Sequence, residues 1–152
     1  MIIFFLVSIN NSIFNIPTNA NIIEATFLET IQYDNESQIF KGKFFLKKNS
    51  FKIYVFEPDS QLIIGNKVLK IYTSDGETLT TDNPFNLSVI FFHPEEEFDV
   101  LKKTETDYYL MPHDTTFIKK IHLSLIDKMP YRIFVNFEGS KAIFYLGDYR
   151  IR

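Results

Sequence analysis

Few side chains in this sequence are of a type or spacing that does chemistry. Its three histidines, His93, His113 and His122, lie far apart, and no two have the spacing of metal ligands. His122 alternates with Ile121 and Leu123 in a strand-like run, so it points away from the apolar side. Asp114 and the run Glu95-Glu96-Glu97 offer carboxylates, but a charge run is first of all a solvated loop. The chain has no cysteine, which excludes a thiolate ligand, a thiol nucleophile, a disulfide framework and a lipidated cysteine. No GxSxG elbow, Walker loop, GxGxxG turn or HExxH pair occurs. An enzyme therefore has no residue set behind it. No catalytic residue, metal or other cofactor is expected.

The lysines are the other chemically active group. Lys41, Lys43, Lys47 and Lys52 interleave with Phe, a pattern a single-strand nucleic-acid platform would use. The balance of 16 Lys+Arg against 19 Asp+Glu, a net charge of -3, argues against gripping a phosphate backbone, and no nucleic-acid partner is expected. Strand parity places Lys41, Lys43 and Lys47 on one face and Phe40, Gly42, Phe44 and Leu46 on the other. Lys48 then falls on the apolar side. Either the strand ends there and the amine reaches water, or a cation sits at the rim of an apolar concavity.

The elements that must position these groups are short and alternating. At 152 residues the chain fits one domain, and at 45% hydrophobic it can bury a core. Strands are expected at Ile22 to Tyr33, Ser37 to Lys48, Phe51 to Phe56, Gln61 to Ile64, Lys67 to Thr73 and Glu77 to Thr81. Five more are expected at Asp99 to Lys102, Asp107 to Met111, Thr116 to Leu125, Tyr131 to Glu138 and Lys141 to Arg150. Short turns such as Gly65-Asn66 join them, so the sheet is an antiparallel meander. One segment breaks the pattern. Asp82-Asn83 offers an Asx cap with Pro84 at the first helical position, and Phe85, Leu87, Ile90 and Phe91 continue to a stop at His93-Pro94.

With 17 Phe and 8 Tyr, several strands carry bulky side chains on both faces. A single sheet with that much apolar surface must be covered or must bind something apolar. One short helix is the only cover in view. No run reaches the length of a spanning helix, and the longest apolar stretch is Ile2 to Val7. Followed by Thr18-Asn19-Ala20, that stretch reads as a signal peptide without its basic start, or else as a short element packed on the domain.

From Ile22 to about Phe92 the chain resembles the LolA-like family of periplasmic lipoprotein carriers. The resemblance rests on five pieces in order. They are Ala25-Thr26-Phe27-Leu28-Glu29-Thr30, Gly42 to Ser50, Pro58 to Ile64, Leu69-Lys70-Ile71-Tyr72 and Pro84-Phe85-Asn86-Leu87. Asn49 stands where the family has Pro, Lys70 where it has Trp, and Lys48 where it usually has Arg. Lys lacks the guanidinium fork, so a lid held by it has fewer hydrogen bonds.

The resemblance implies a mainly β fold: an unclosed antiparallel half-barrel, with one or two short helices as a lid over an apolar cavity. It further implies a non-enzymatic periplasmic carrier that moves lipoproteins from the inner to the outer membrane. Its cavity would hold acyl chains between Phe44, Leu46, Lys48, Ile53, Leu69, Ile71, Phe85, Leu87, Leu123 and Ile133. The lid would be Pro84, Phe85, Leu87, Ile90 and Phe91. Its partners would be acylated lipoproteins, an inner-membrane lipoprotein-releasing ABC transporter and an outer-membrane receptor, with the carrier itself a monomer. An alternative of the same architecture is an envelope sensor or interaction domain that binds a protein or lipid partner. On the carrier expectation, residues 1–20 are a cleaved leader and 21–152 the single working domain. N-terminal sequencing of protein from the native cell should then begin near Asn21, and a mature chain that keeps Met1 makes the segment part of the domain instead.

Overall fold

A computed structural model describes residues 13–66, 68–82, 86–114 and 117–152. Eleven antiparallel strands form one sheet. The first six are β1 (Ile23–Tyr33), β2 (Glu36–Leu46), β3 (Phe51–Glu57), β4 (Gln61–Gly65), β5 (Val68–Thr73) and β6 (Thr78–Asp82). After helix α1 (Leu87–Phe92) and a 3-10 turn at Pro94–Glu96 come β7 (Phe98–Lys102), β8 (Asp107–Pro112), β9 (Ile118–Ile126), β10 (Met129–Phe137) and β11 (Ser140–Ile151). The order across the sheet is β6-β5-β4-β3-β2-β1-β11-β10-β9-β8-β7, so β6 and β7 are free edges and the sheet does not close. It is an unclosed half-barrel, as the family resemblance implies, built from the antiparallel meander that the strand pattern predicts.

Curvature comes from interruptions of register. β1 is irregular against β11 between Glu24 and Thr26, β2 against β3 between Lys41 and Gly42, and β10 against β9 at two places. Each such bulge bends the strand and raises its twist. Gly42 sits at one of them for a steric reason. A Cβ there would lie 2.0 Å from the Tyr54 carbonyl oxygen and 2.9 Å from the Phe27 ring.

The core lies on the concave face. Leu110, Ile121, Leu123, Ile133 and Val135 are fully enclosed, in one cluster with Ile23, Ala25, Phe44 and Leu46. Helix α1 caps this cluster, and five of its six residues are buried. It begins later than the sequence suggests. Asp82 pairs with Val68 as the last residue of β6, and Asn86 is the cap, its side chain accepting from Ser88 N at 3.0 Å. The expected cap and first turn at Asn83, Pro84 and Phe85 lie outside the described residues. Ser88 Oγ donates to the Ser50 carbonyl at 2.9 Å and pins the helix to the β2–β3 turn.

Of the leader expected at residues 1–20, residues 1–12 lie outside the described chain. Phe14 is buried 5.5 Å from the Phe91 ring, and Asn15 N donates to the Lys128 carbonyl at 3.0 Å. The start of β1 is tied to the end of β11, since Asn21 N and Ile22 N donate to the Arg152 carbonyl and Arg152 N donates back to Ile22 O.

Gly42→Ala should destabilise the fold by at least about 1–3 kcal/mol, the cost of forcing extra volume into a packed site. Urea unfolding measures it. A midpoint equal to the parent's would mean that β2 and β3 separate freely at the bulge.

Candidate functional site

The sheet's register builds a groove on the concave face of β1–β5. One cross-strand row runs Ile23, Leu46, Phe51, Gly65, Leu69, and the next runs Ala25, Phe44, Ile53, Ile63, Ile71. A third runs Phe27, Gly42, Val55, Gln61, and a fourth pairs Glu29 with Phe40. Because successive side chains alternate faces, these rows all point the same way. Two glycines keep the floor low. At Gly65 a Cβ would strike the Phe51 ring at 2.2 Å, and at Gly42 the Phe27 ring lies over the bare backbone.

The resulting cavity is about 300 Å³, at the small end of ligand pockets. Phe27, Phe44, Phe51, Ile53, Val55, Ile63 and Leu69 line it from the sheet, Phe144 from β11 and Leu87 from α1. Phe27 stacks on Phe44 at 6.3 Å and meets Phe144 edge-on at 6.5 Å. The lining is apolar except for two side chains, Glu29 and Gln61. Both lie beyond the two rows nearest α1, so the groove is apolar beneath Leu87 and carries its polar side chains farther out, where Ile31, one row beyond Glu29, completes the wall.

The expected cavity residues divide accordingly. Phe44, Ile53, Leu69 and Leu87 line the groove together. Ile71 shares their face of the sheet but is not in the wall, and Phe85 is outside the described residues. Leu46, Leu123 and Ile133 are completely enclosed, because α1 and the core cluster fill the concavity around them. Of the expected lid, Leu87, Ile90 and Phe91 are in α1 and buried, while Pro84 is undescribed. Lys48 is a correction. β2 ends at Leu46, Lys47 N donates to the Ser50 carbonyl to make the turn, and Lys48 is exposed in that turn, away from the groove. Parity stops with the strand, so the reading in which the amine reaches water is the one the geometry gives.

Sequence reasoning missed Glu29. The signal was present, since Ile23, Ala25, Phe27, Glu29 and Ile31 share one parity, which puts a carboxylate in an apolar row. No side-chain hydrogen bond or ion pair holds it, and burial pushes its carboxyl up to about 7.

The one cluster that looks catalytic is otherwise arranged. His122 Nε2 lies 2.9 Å from Asp107 Oδ1, and Ser124 Oγ donates to the same oxygen at 3.1 Å. The serine therefore faces the carboxylate and not the imidazole, the reverse of a nucleophile–base pair. Thr104 Oγ1 also donates to Asp107, at 3.0 Å, and hydrogen bonds led by that from His122 hold the carboxyl below its ordinary range. The network fastens the start of β8 to β9.

The raised carboxyl makes a test of the groove's polarity. Between the ordinary Glu pKa of 4.5 and about 7, the folded chain keeps a proton on Glu29 that the unfolded chain has lost. Folding stability should fall across that window, by at most about 1.4 kcal/mol per pH unit, and stay lowered above it. Glu29→Gln should remove this part of the decline in denaturation curves taken from pH 4.5 to 8. Parallel curves for parent and variant would mean that water reaches the carboxylate freely.

No family model matches the sequence, and no curated protein matches it. Solved structures do match. A LolA-superfamily protein from Nitrosomonas europaea aligns with a TM-score of 0.55 at 11% identity, over 87% of this chain and 86% of that one. A DUF1329 family protein from Desulfovibrio piger aligns at 0.54 and 10% identity, over 88% and 86%. A domain described as an outer membrane lipoprotein-sorting protein, from Vibrio parahaemolyticus, aligns at 0.51 and 11%, over 87% and 86%. At such identities the likeness is one of architecture. The chain has the LolA-like fold.

Proposed function

We propose that this protein is a non-enzymatic carrier that shields the acyl chains of lipoproteins in its concave groove as they pass between membranes. The observation that carries the reading is the groove itself: about 300 Å³ walled almost wholly by aromatic and aliphatic side chains and open on one side. Each methylene moved from water into such a wall contributes about 0.8 kcal/mol, so one chain is enough for binding without covalent chemistry. The fold's likeness to a lipoprotein-sorting domain supports the same reading. On it, the working compartment is the periplasm. The donor is an inner-membrane lipoprotein-releasing ABC transporter, the acceptor is an outer-membrane receptor, and the carrier acts as a monomer.

Release is as necessary as capture. The groove is shallow and its outer strands β4 and β5 are half-exposed, so a bound chain is not sealed in. Helix α1 is anchored by Ser88 to Ser50 and by Phe91 to Phe14 and Phe44, and of the six residues of α1 only Leu87 lines the groove. Capture and hand-over can therefore proceed through the open side, with α1 in place.

A fluorescent cysteinyl peptide carrying a hexadecyl chain on sulfur tests the reading by direct titration. The parent should bind it, and Ile53→Glu should weaken binding by about tenfold or more, because the new carboxylate faces apolar wall without a partner. Lys48→Leu, in the exposed turn, should bind like the parent. Circular dichroism must show Ile53→Glu folded. Absence of binding by the parent, or undiminished binding by folded Ile53→Glu, would overturn the carrier reading.

A further inference from the structure

Glu29 is the only ionisable side chain among the described residues that line the groove. Its cross-strand neighbours are Phe40 on β2 and Phe144 on β11, and the groove-facing residues on either side of it along β1 are Phe27 and Ile31. No lysine, arginine or histidine lines the wall from β2, β3, β4, β5, β11 or α1. The opposite face of the same strand is furnished quite differently. There Glu24 is clamped by the Lys43 ammonium and, at 2.8 Å, by the Arg152 guanidinium. One strand thus carries a carboxylate with two cations on one face and a carboxylate with none on the other. An ionised group in that second setting needs a partner, and the described residues supply none.

The row structure says where the partner comes from. Gln61 and Glu29 sit in the third and fourth rows from α1, with only Ile31 one row beyond among the described lining residues, and every lining side chain in the two rows nearest Leu87 is apolar. An amphiphile entering with its tail toward α1 leaves its polar end beside these two side chains. We propose that Glu29, with Gln61, selects lipopeptides by their polar end, taking those whose α-amine beside the lipid-bearing residue is free and charged over those whose amine is acylated. An ammonium there donates to the Glu29 carboxylate and neutralises it. An amide in the same place carries no charge, and an anionic head is repelled. A free α-amine is mostly protonated at pH 7, its ordinary pKa being about 7.7–8.0.

This inference rests on the carrier reading, and its test separates the two. The probes are two S-hexadecylcysteinyl peptides of identical sequence, one with a free α-amine and one N-acetylated, titrated at pH 7 into the whole protein. The parent should prefer the free amine by about tenfold, the scale of one charge-assisted hydrogen bond, and in Glu29→Gln the preference should shrink to about twofold or less. Equal binding of the two probes by the parent overturns the inference and leaves the carrier reading standing. The same holds if folded Glu29→Gln keeps the full preference. If the parent binds neither probe, both fall together.

Discussion

The apolar concave face of a single sheet has to be hidden, and among its described residues this chain has one six-residue helix and the short segment carrying Phe14 to hide it with. Everything else follows from that shortage. The sheet curls on its own bulges and on the bare backbone of Gly42, so that strands far apart in sequence cover one another. Over β9 and β10 the solution is complete, with Ile121, Leu123, Ile133 and Val135 sealed. Over β1 to β5 it is incomplete. Rings and branched chains from Phe27 to Leu69 line a space that none of the described elements fills. The groove is the part of the face left over after α1 has been used.

The strand β1 is the spine of this arrangement, bonded to β2 on one side and to β11 on the other. Its two acids mark its two faces. Hydrogen bonds from Lys43 and then Arg152 hold the Glu24 carboxyl below its ordinary range. That contribution is present above the ordinary Glu pKa and is lost as pH falls through the lowered one. It joins the C-terminal residue to β1 and β2 and reinforces the bonds between Ile22 and Arg152. Glu29 works in the opposite sense, its raised carboxyl opposing folding as pH rises. A single strand therefore spends its first acid on closing the fold and leaves its second unsatisfied in the groove.

Much of the architecture was legible because a meander writes itself in local terms. Turn residues such as Asp34-Asn35 and the period-two runs between them placed every strand within about two residues of where it lies, the ordinary margin for element ends. What failed were the places where tertiary pairing overrode a local signal. Asp82 reads as a helix cap, yet it serves better as a strand partner of Val68 on the sheet's edge. Lys48 reads as apolar-facing only if β2 continues, and the turn closed by Lys47 and Ser50 ends the alternation before it. Leu46, Leu123 and Ile133 have the right parity for a cavity wall. Parity gives a face and not its depth, and these three lie where the concavity is already filled. Glu29 went unread for the converse reason: its parity was plain, but a charged residue on a sheet is ordinarily assumed to face water.

The groove's one carboxylate also bears on how strongly such a site can hold an apolar chain. A wholly apolar wall gains with every methylene buried and offers no reason to let go. A carboxyl that must be kept protonated, or be given a cation, charges a cost against any occupant that brings neither. Placed beyond the apolar rows nearest α1, it leaves a tail buried in those rows untouched and, on the proposed reading, acts on what is attached to that tail. On the proposed carrier reading, affinity for the chain and discrimination among chains fall to different residues, the first to Phe44, Ile53 and their neighbours and the second to Glu29. A carrier of many cargoes needs that separation, since a site that recognised cargo through its apolar wall alone would treat all acyl chains alike.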